Sequence, residues 1–181
     1  RGLAVVWNSA TFELNATGMV PLPHVHNSVL KRRHTSWLRP LRLRPRSALM
    51  VEGRMLGRDA RLYNIHLSPV GFAFQTAQLT AVLRHAAHRE ACELLAIVGD
   101  FNSLRLDRRK WAAWFAARQA EGFQDASCGV EWTFRSPALP LRQKLDNALV
   151  RAPGSLTSCS TLTLAGSDHL PLVTEVGWPE L

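Results

Sequence analysis

The sequence lacks any apolar run near the roughly 18 residues that a membrane-crossing helix needs, so a spanning helix is excluded. Cysteine is scarce. Cys92, Cys128 and Cys159 are too few and too scattered for a disulfide framework or a zinc site, and they read as reduced thiols. One bridging pair stays open, and with it the compartment, with the cytoplasm as the default. There is no internal repeat and no low-complexity tract. No charged-then-apolar signal pattern opens the chain, and Arg1-Gly2-Leu3 stands where a methionine would. The expectation is a chain that was processed or that is part of something longer. Finally, residues 31–46 contain no acid at all.

What is present suits one globular domain. The 181 residues are 46% hydrophobic and 20% charged, a balance that is neither disordered nor fibrous. The net charge is +8, and it is unevenly spread. Lys31, Arg32, Arg33, Arg39, Arg42, Arg44 and Arg46 cluster in one segment, and without them the charge falls to +1. Such a segment attracts polyanions, of which nucleic acid and anionic lipid surfaces are the usual ones. The plainer reading is a solvated loop.

Short apolar runs and breakers outline the elements. Residues 3–7 read as a buried strand, and residues 11–45, punctuated by Gly18, Pro21, Pro23, Pro40 and Pro45, as irregular. Residues 47–55 and 61–67 read as strands joined by a turn around Gly57-Arg58-Asp59. Phe72, Leu79, Val82, Leu83 and Ala86 recur at helical spacing within 72–90, which has no Gly or Pro. The run 94–98 is a buried central strand. Residues 107–121 read as a second helix with Trp111, Trp114 and Phe115 on one face and Gly122 at its end. Strands at 132–134, 145–150, 156–164 and 170–176 complete the chain. The expectation is an α/β sandwich with mixed and antiparallel sheets rather than a doubly wound parallel one.

Four polar clusters sit at strand ends: His66; Asp100 and Asn102 in Gly-Asp-Phe-Asn; Asp146; and Asp168-His169. Two strands run into these positions and two run out, so all four meet at one rim. Each cluster alone has a bland reading as turn chemistry or a satisfied histidine. As a set, they place charge beside a core, which is costly unless the groups are paired or hold a metal. No serine or cysteine nucleophile signature accompanies them. Carboxylates suit a hard cation, and imidazoles held by acids can move protons or meet a developing oxyanion. Together they are apparatus for hydrolysing a phosphate ester.

The motifs Asn64-Ile65-His66-Leu67, Gln78-Leu79, Gly99-Asp100-Phe101-Asn102, Trp132-Thr133-Phe134, Lys144-Leu145-Asp146 and Ser167-Asp168-His169-Leu170-Pro171 follow one another in the order found in the endonuclease/exonuclease/phosphatase superfamily. The chain resembles the later part of that domain over essentially its whole length. The resemblance implies a deoxyribonuclease-like two-sheet α/β sandwich, residues 1–181 forming one such domain without its N-terminal strands. It implies that Asp100 positions the attacking water and Asn102 orients it. It also implies that His169, oriented by Asp146, and His66 meet the scissile phosphate, that Arg46 binds phosphate and that Asp168 is a metal-site carboxylate. The implied cofactor is Mg2+ or Mn2+. The implied substrate is nucleic acid, with lipid or inositol phosphoesters as alternatives. The other reading is a catalytically inactive polyanion-binding protein that keeps the fold. The family's metal-binding Glu, on a strand before the one that residues 1–7 resemble, has no counterpart here. Glu13, Glu52, Glu90 and Glu93 lie in the wrong contexts to replace it. Asn147, Gln75 and Lys144 are milder departures. Missing strands would leave core surface uncovered, so the chain is expected to be weakly stable or to pair with something else.

Overall fold

A computed structural model describes residues 2–24, 45–69, 71–154 and 156–177. Six of the seven basic residues of the segment 31–46 lie outside the described residues, as does Trp37.

The main sheet runs β1 (Phe12–Pro21), β2 (Ser47–Met55), β3 (Arg58–His66), β4 (Leu94–Asp100), β8 (Asp146–Arg151) and β5 (Gln124–Asp125), in that spatial order. The β3–β4 pair is parallel, and its crossover carries α1 (Phe72–Ala87). All other pairs in this sheet are antiparallel, so it is the mixed sheet expected. A 3-10 turn (Arg105–Asp107) leads into α2 (Arg108–Ala120). A short hairpin of β6 (Phe134–Arg135) and β7 (Arg142–Gln143) precedes β8, and β9 (Leu156–Thr161) pairs with β10 (Leu172–Val176) as a second sheet.

The pleat divides the core. Tyr63, Ile65, Ile97, Phe101 and Leu149 point from alternate positions toward α1 and α2, where Leu79, Val82 and Trp111 meet them. Trp111 has Phe72, Trp114 and Phe115 around it at ring-centroid distances of 5.2, 5.8 and 6.0 Å. The opposite face, through Ala96, Ala148 and Val150, packs against Leu172 and Val176 of β10. That gives the two-sheet sandwich with helices outside. The three cysteines are free.

Three expectations need correction. Residues 3–7 form no strand: Val6 is exposed, and the Ala4 carbonyl accepts a hydrogen bond of 2.8 Å from Asn64 Nδ2. An apolar run becomes a strand only with a ladder to join. Conversely, the stretch read as irregular opens with the ten-residue strand β1. A bulge between Leu14 and Ala16 interrupts its alternation, and its position at the sheet edge leaves most of it exposed, so no period of two shows. The turn after β2 lies at Leu56-Gly57, earlier than the Gly57-Arg58-Asp59 read from the sequence. Leu56 and Gly57 both have positive φ, 51° and 81°, the geometry of a two-residue hairpin loop.

Candidate active site

Strand pairing builds the rim. His66 faces Asp100 in the parallel β3–β4 ladder, and Asp100 faces Asp146 across β4–β8. Their neighbours Ile65, Phe101 and Leu145 are buried, so with a side-chain period of two the three polar groups project together from one face. Gly99 makes the end of β4 possible. Its φ is +129°, and a Cβ there would lie 2.1 Å from the Ile65 carbonyl oxygen.

Two carboxylate–imidazole pairs result. Asp100 Oδ2 lies 3.4 Å from His66 Nε2. Asp146 Oδ2 lies 2.7 Å from His169 Nδ1, leaving Nε2 as the ring's other nitrogen. His169 is held further by its backbone N–H to Ser167 Oγ at 3.0 Å and by the Phe134 ring, 5.1 Å away. The Asp100 carboxyl is only 17% exposed. Burial pushes its pKa up to about 6, with the Asp146 charge adding to the rise. The Asn102 N–H, donating to Oδ1 at 2.8 Å, and the positive charges of His169 and Arg46 work against it.

Asn102 adopts a left-handed φ of 50°, sparsely populated for a side-chain-bearing residue. Besides the Leu104 N–H, which donates to its carbonyl at 2.9 Å, three bonds hold it there. Its N–H reaches Asp100, its Nδ2 donates to the Leu67 carbonyl at 2.7 Å, and its carbonyl accepts from Gln75 Nε2 at 2.7 Å. Arg46 Nη1 donates to the His66 carbonyl at 3.2 Å, so this basic residue stands at the rim. His66, Asp100, Asn102, Asp146, His169 and Arg46 are therefore assembled. Asp168 is not drawn in. It is exposed, its backbone carbonyl accepts from Arg135 N–H at 2.9 Å, and its carboxylate has no partner among the described residues.

The support around the site was less visible in the sequence. Thr133, fully buried, accepts the backbone N–H groups of both Leu145 and Asp146 on Oγ1, at 3.0 and 2.9 Å, and so sets the start of β8. Gln75 and Gln78 lie on the core face of α1, at 1% exposure each, where helical periodicity looks for apolar residues. Gln75 ties Ser68 to Asn102, and Gln78 accepts from the Ser68 N–H. Their spacing of three, on the same face as Leu79 and Val82, was the available signal. Two of the four glutamates Glu13, Glu52, Glu90 and Glu93 are paired elsewhere. Glu52 pairs with Arg61 and Arg89, and Glu93 with Arg58, both toward the opposite end of the sheet from His66.

The expected Mg2+ or Mn2+ finds an incomplete donor set. Among the described residues, no three His, Cys, Asp or Glu side chains are grouped so as to hold a metal ion. The carboxylates that are close together already hold imidazoles. These residues do not by themselves fit a resident divalent cation.

No protein-family model matches the chain, and no curated protein matches it. Solved structures do. An endonuclease/exonuclease/phosphatase from Bacteroides vulgatus superposes with a TM-score of 0.72 at 17% identity, over 96% of this chain and 69% of that one. Zebrafish (D. rerio) TDP2, solved with a single-stranded DNA product, gives 0.67 at 15% identity, over 94% and 70%. A mannosyl-6-phosphatase from Bacteroides thetaiotaomicron gives 0.63 at 14% identity, over 95% and 69%. The chain thus has, over nearly its whole length, the fold of the endonuclease/exonuclease/phosphatase proteins, and spans about 69% of theirs.

Proposed function

We propose that this protein hydrolyses a phosphoester by direct attack of water, and that its substrate is a nucleic-acid phosphodiester. The observation that carries the reading is the row of two carboxylate–imidazole pairs on adjacent strands, with one buried carboxyl that titrates near pH 6. Asp100, ionised above that pH, takes a proton from water as the oxygen–phosphorus bond forms. Asn102, locked in place beside it, orients the water. The ester P–O bond breaks, and the leaving oxygen receives a proton from His169 in its charged form. Asp146 holds that ring and stabilises its positive charge. His66 and Arg46 offer donors to the phosphate's nonbridging oxygens. Nucleic acid is favoured by the basic residues before β2 and by the DNA-bound zebrafish neighbour, while the sugar-phosphate neighbour shows that one fold serves several phosphoesters.

The test is hydrolysis of supercoiled DNA, single-stranded RNA and bis-p-nitrophenyl phosphate in parallel, with and without Mg2+ or Mn2+. Asp100→Asn and His169→Ala should each lower kcat by about 10²–10⁴-fold, and the double variant by little more, because the residues act as a unit. Turnover that survives both changes overturns the reading. The unassembled Asp168 and the incomplete cation site favour a second reading, a polyanion-binding protein without turnover. It predicts binding that weakens steeply with salt while no substrate is cut.

A further inference from the structure

On the helix side of the sheet, next to the loop that follows Asn102, lies a groove of about 730 Å3. It begins at Ser103, the residue after Asn102, and is walled by the first turn of α2, residues 129–132 and the strand leading to Asp146. The volume is that of a site for an organic ligand rather than a bare ion. Three of its cations, Arg105, Arg108 and Arg142, are exposed and have no carboxylate partner among the described residues. Lys144 is committed to the wall: its Nζ donates to the Ser127 carbonyl at 2.6 Å and lies 3.8 Å from Asp125. That pairing neutralises Asp125 and leaves Glu131 as the one uncompensated acid lining the groove. The groove is therefore cationic.

It is also aromatic. The Arg142 guanidinium lies 4.7 Å from the centre of the Trp132 ring, which leaves a flat cation supported from behind. Trp111 lines the groove too. It is 4% exposed, and its indole N–H is buried without a hydrogen-bond partner among the described residues. Unsatisfied donors of this kind are rare in folded proteins, and a bound acceptor is one way to satisfy them. The Trp132–Arg142 plane set among unpaired arginines is what an unpaired nucleotide run needs: a base for the plane, phosphates for the cations. A stacked duplex keeps its base faces covered and cannot use the plane.

We propose that this groove binds an unpaired segment of a nucleic-acid strand adjoining the phosphodiester held at the rim. The inference rests on the reading above that nucleic acid is the substrate, and it assigns Arg105, Arg108, Arg142 and Trp132 as the contacts. Ser103, the residue after Asn102, is fixed in the groove wall: its hydroxyl donates to the Lys144 carbonyl at 2.7 Å and accepts from Asn147 Nδ2 at 2.8 Å.

The experiment is fluorescence anisotropy of the full chain with a labelled single-stranded DNA 12-mer and with its duplex, across a salt series. Arg105→Ala/Arg108→Ala should weaken single-strand binding at least tenfold and make the salt dependence shallower by about 1.4 in log–log slope. Arg142→Ala should weaken it as well. Arg109→Ala removes the same charge from the same helix outside the groove and should change binding less than twofold. The proposal is overturned if the double variant binds as the parent does, if it loses no more than Arg109→Ala, or if the duplex binds as tightly as the single strand. Turnover of bis-p-nitrophenyl phosphate separates the two readings. Activity lost in Asp100→Asn together with unchanged strand binding in the arginine variants removes the groove alone. Groove-dependent strand binding without turnover removes the hydrolase and keeps the groove.

Discussion

Asp100 is held at some cost to the folded state. Its carboxyl is raised from 3.8 to about 6, chiefly because the end of β4 is buried. The unfolded chain ionises this group first as pH rises, so the folded state binds the proton more tightly between those values. Stability is unaffected below about pH 4 and falls as pH rises to about 6. Asp100→Asn removes the buried charge while its amide oxygen can still accept the Asn102 N–H. That variant should be more stable than the parent at pH 7 by on the order of 2 kcal/mol. The gain should vanish below about pH 4, as denaturant melts at both pH values would read. Under the proposed mechanism the same carboxyl sets the activity profile. If it is the base, kcat/KM for bis-p-nitrophenyl phosphate should climb about tenfold per pH unit below the pKa and stop climbing above it. A flat profile between pH 5 and 7 would remove Asp100 from that role. A carboxylate that weakens the fold while serving the chemistry is an ordinary arrangement at active sites.

Among the elements, α1 does more than cover the sheet. Two of its buried positions are glutamines, and Gln75 alone bonds the carbonyls of Ser68 and Asn102, one at each end of the loop pair that flanks the site. Gln75→Leu keeps the volume, leaves the Ser68 carbonyl without this donor and leaves the Asn102 carbonyl with the Leu104 N–H alone. The expected loss is about 1–3 kcal/mol in stability. Because one of the bonds that hold Asn102 in its left-handed conformation is lost, kcat should fall more than KM rises. A variant that is destabilised but catalytically unchanged would show that the glutamine serves packing only. The short hairpin β6–β7 has a parallel task. Through Thr133 it determines where β8 begins, and hence which face Asp146 takes; a slip of one residue would turn that acid toward the helices.

At the scale of the molecule, the six-stranded sheet is covered unequally. The helix face is packed by two helices and their aromatic cluster, whereas the other face meets a sheet of two strands. Between them runs a cavity of about 560 Å3 lined by apolar side chains that include Leu62, Leu94, Val98 and Leu172, directly beneath Asp146. Uncovered apolar surface of that kind lowers stability and favours association. The chain by itself should melt at or below the low end of the usual mesophile range of about 45–65 °C, and should bind a hydrophobic dye before it melts. A sharp two-state melt at higher temperature, as a monomer in sedimentation, would contradict this.

Much of this was legible in one dimension. The apolar runs that became β2, β3, β4 and β8 announced themselves because central strands are apolar on both faces. The helices did so by their spacing. His66, Asp100, Asp146 and His169 stood out because each is a polar residue bordering such a run. What the linear order could not carry was pairing. Residues 3–7 are as apolar as a strand and found no ladder, while β1 joined one with a bulge that erased its alternation. The two carboxylate–imidazole partnerships also waited for the fold: His66 meets Asp100 across 34 positions and Asp146 meets His169 across 23. Asp168, adjacent to His169, stayed outside. Residue type and local period depend on neighbours a few positions away, so the sequence alone determined the elements and named the candidates. Register and burial depend on contacts far apart along the chain, so only the tertiary structure decided which candidates met, and that one of them would hold its proton to about pH 6.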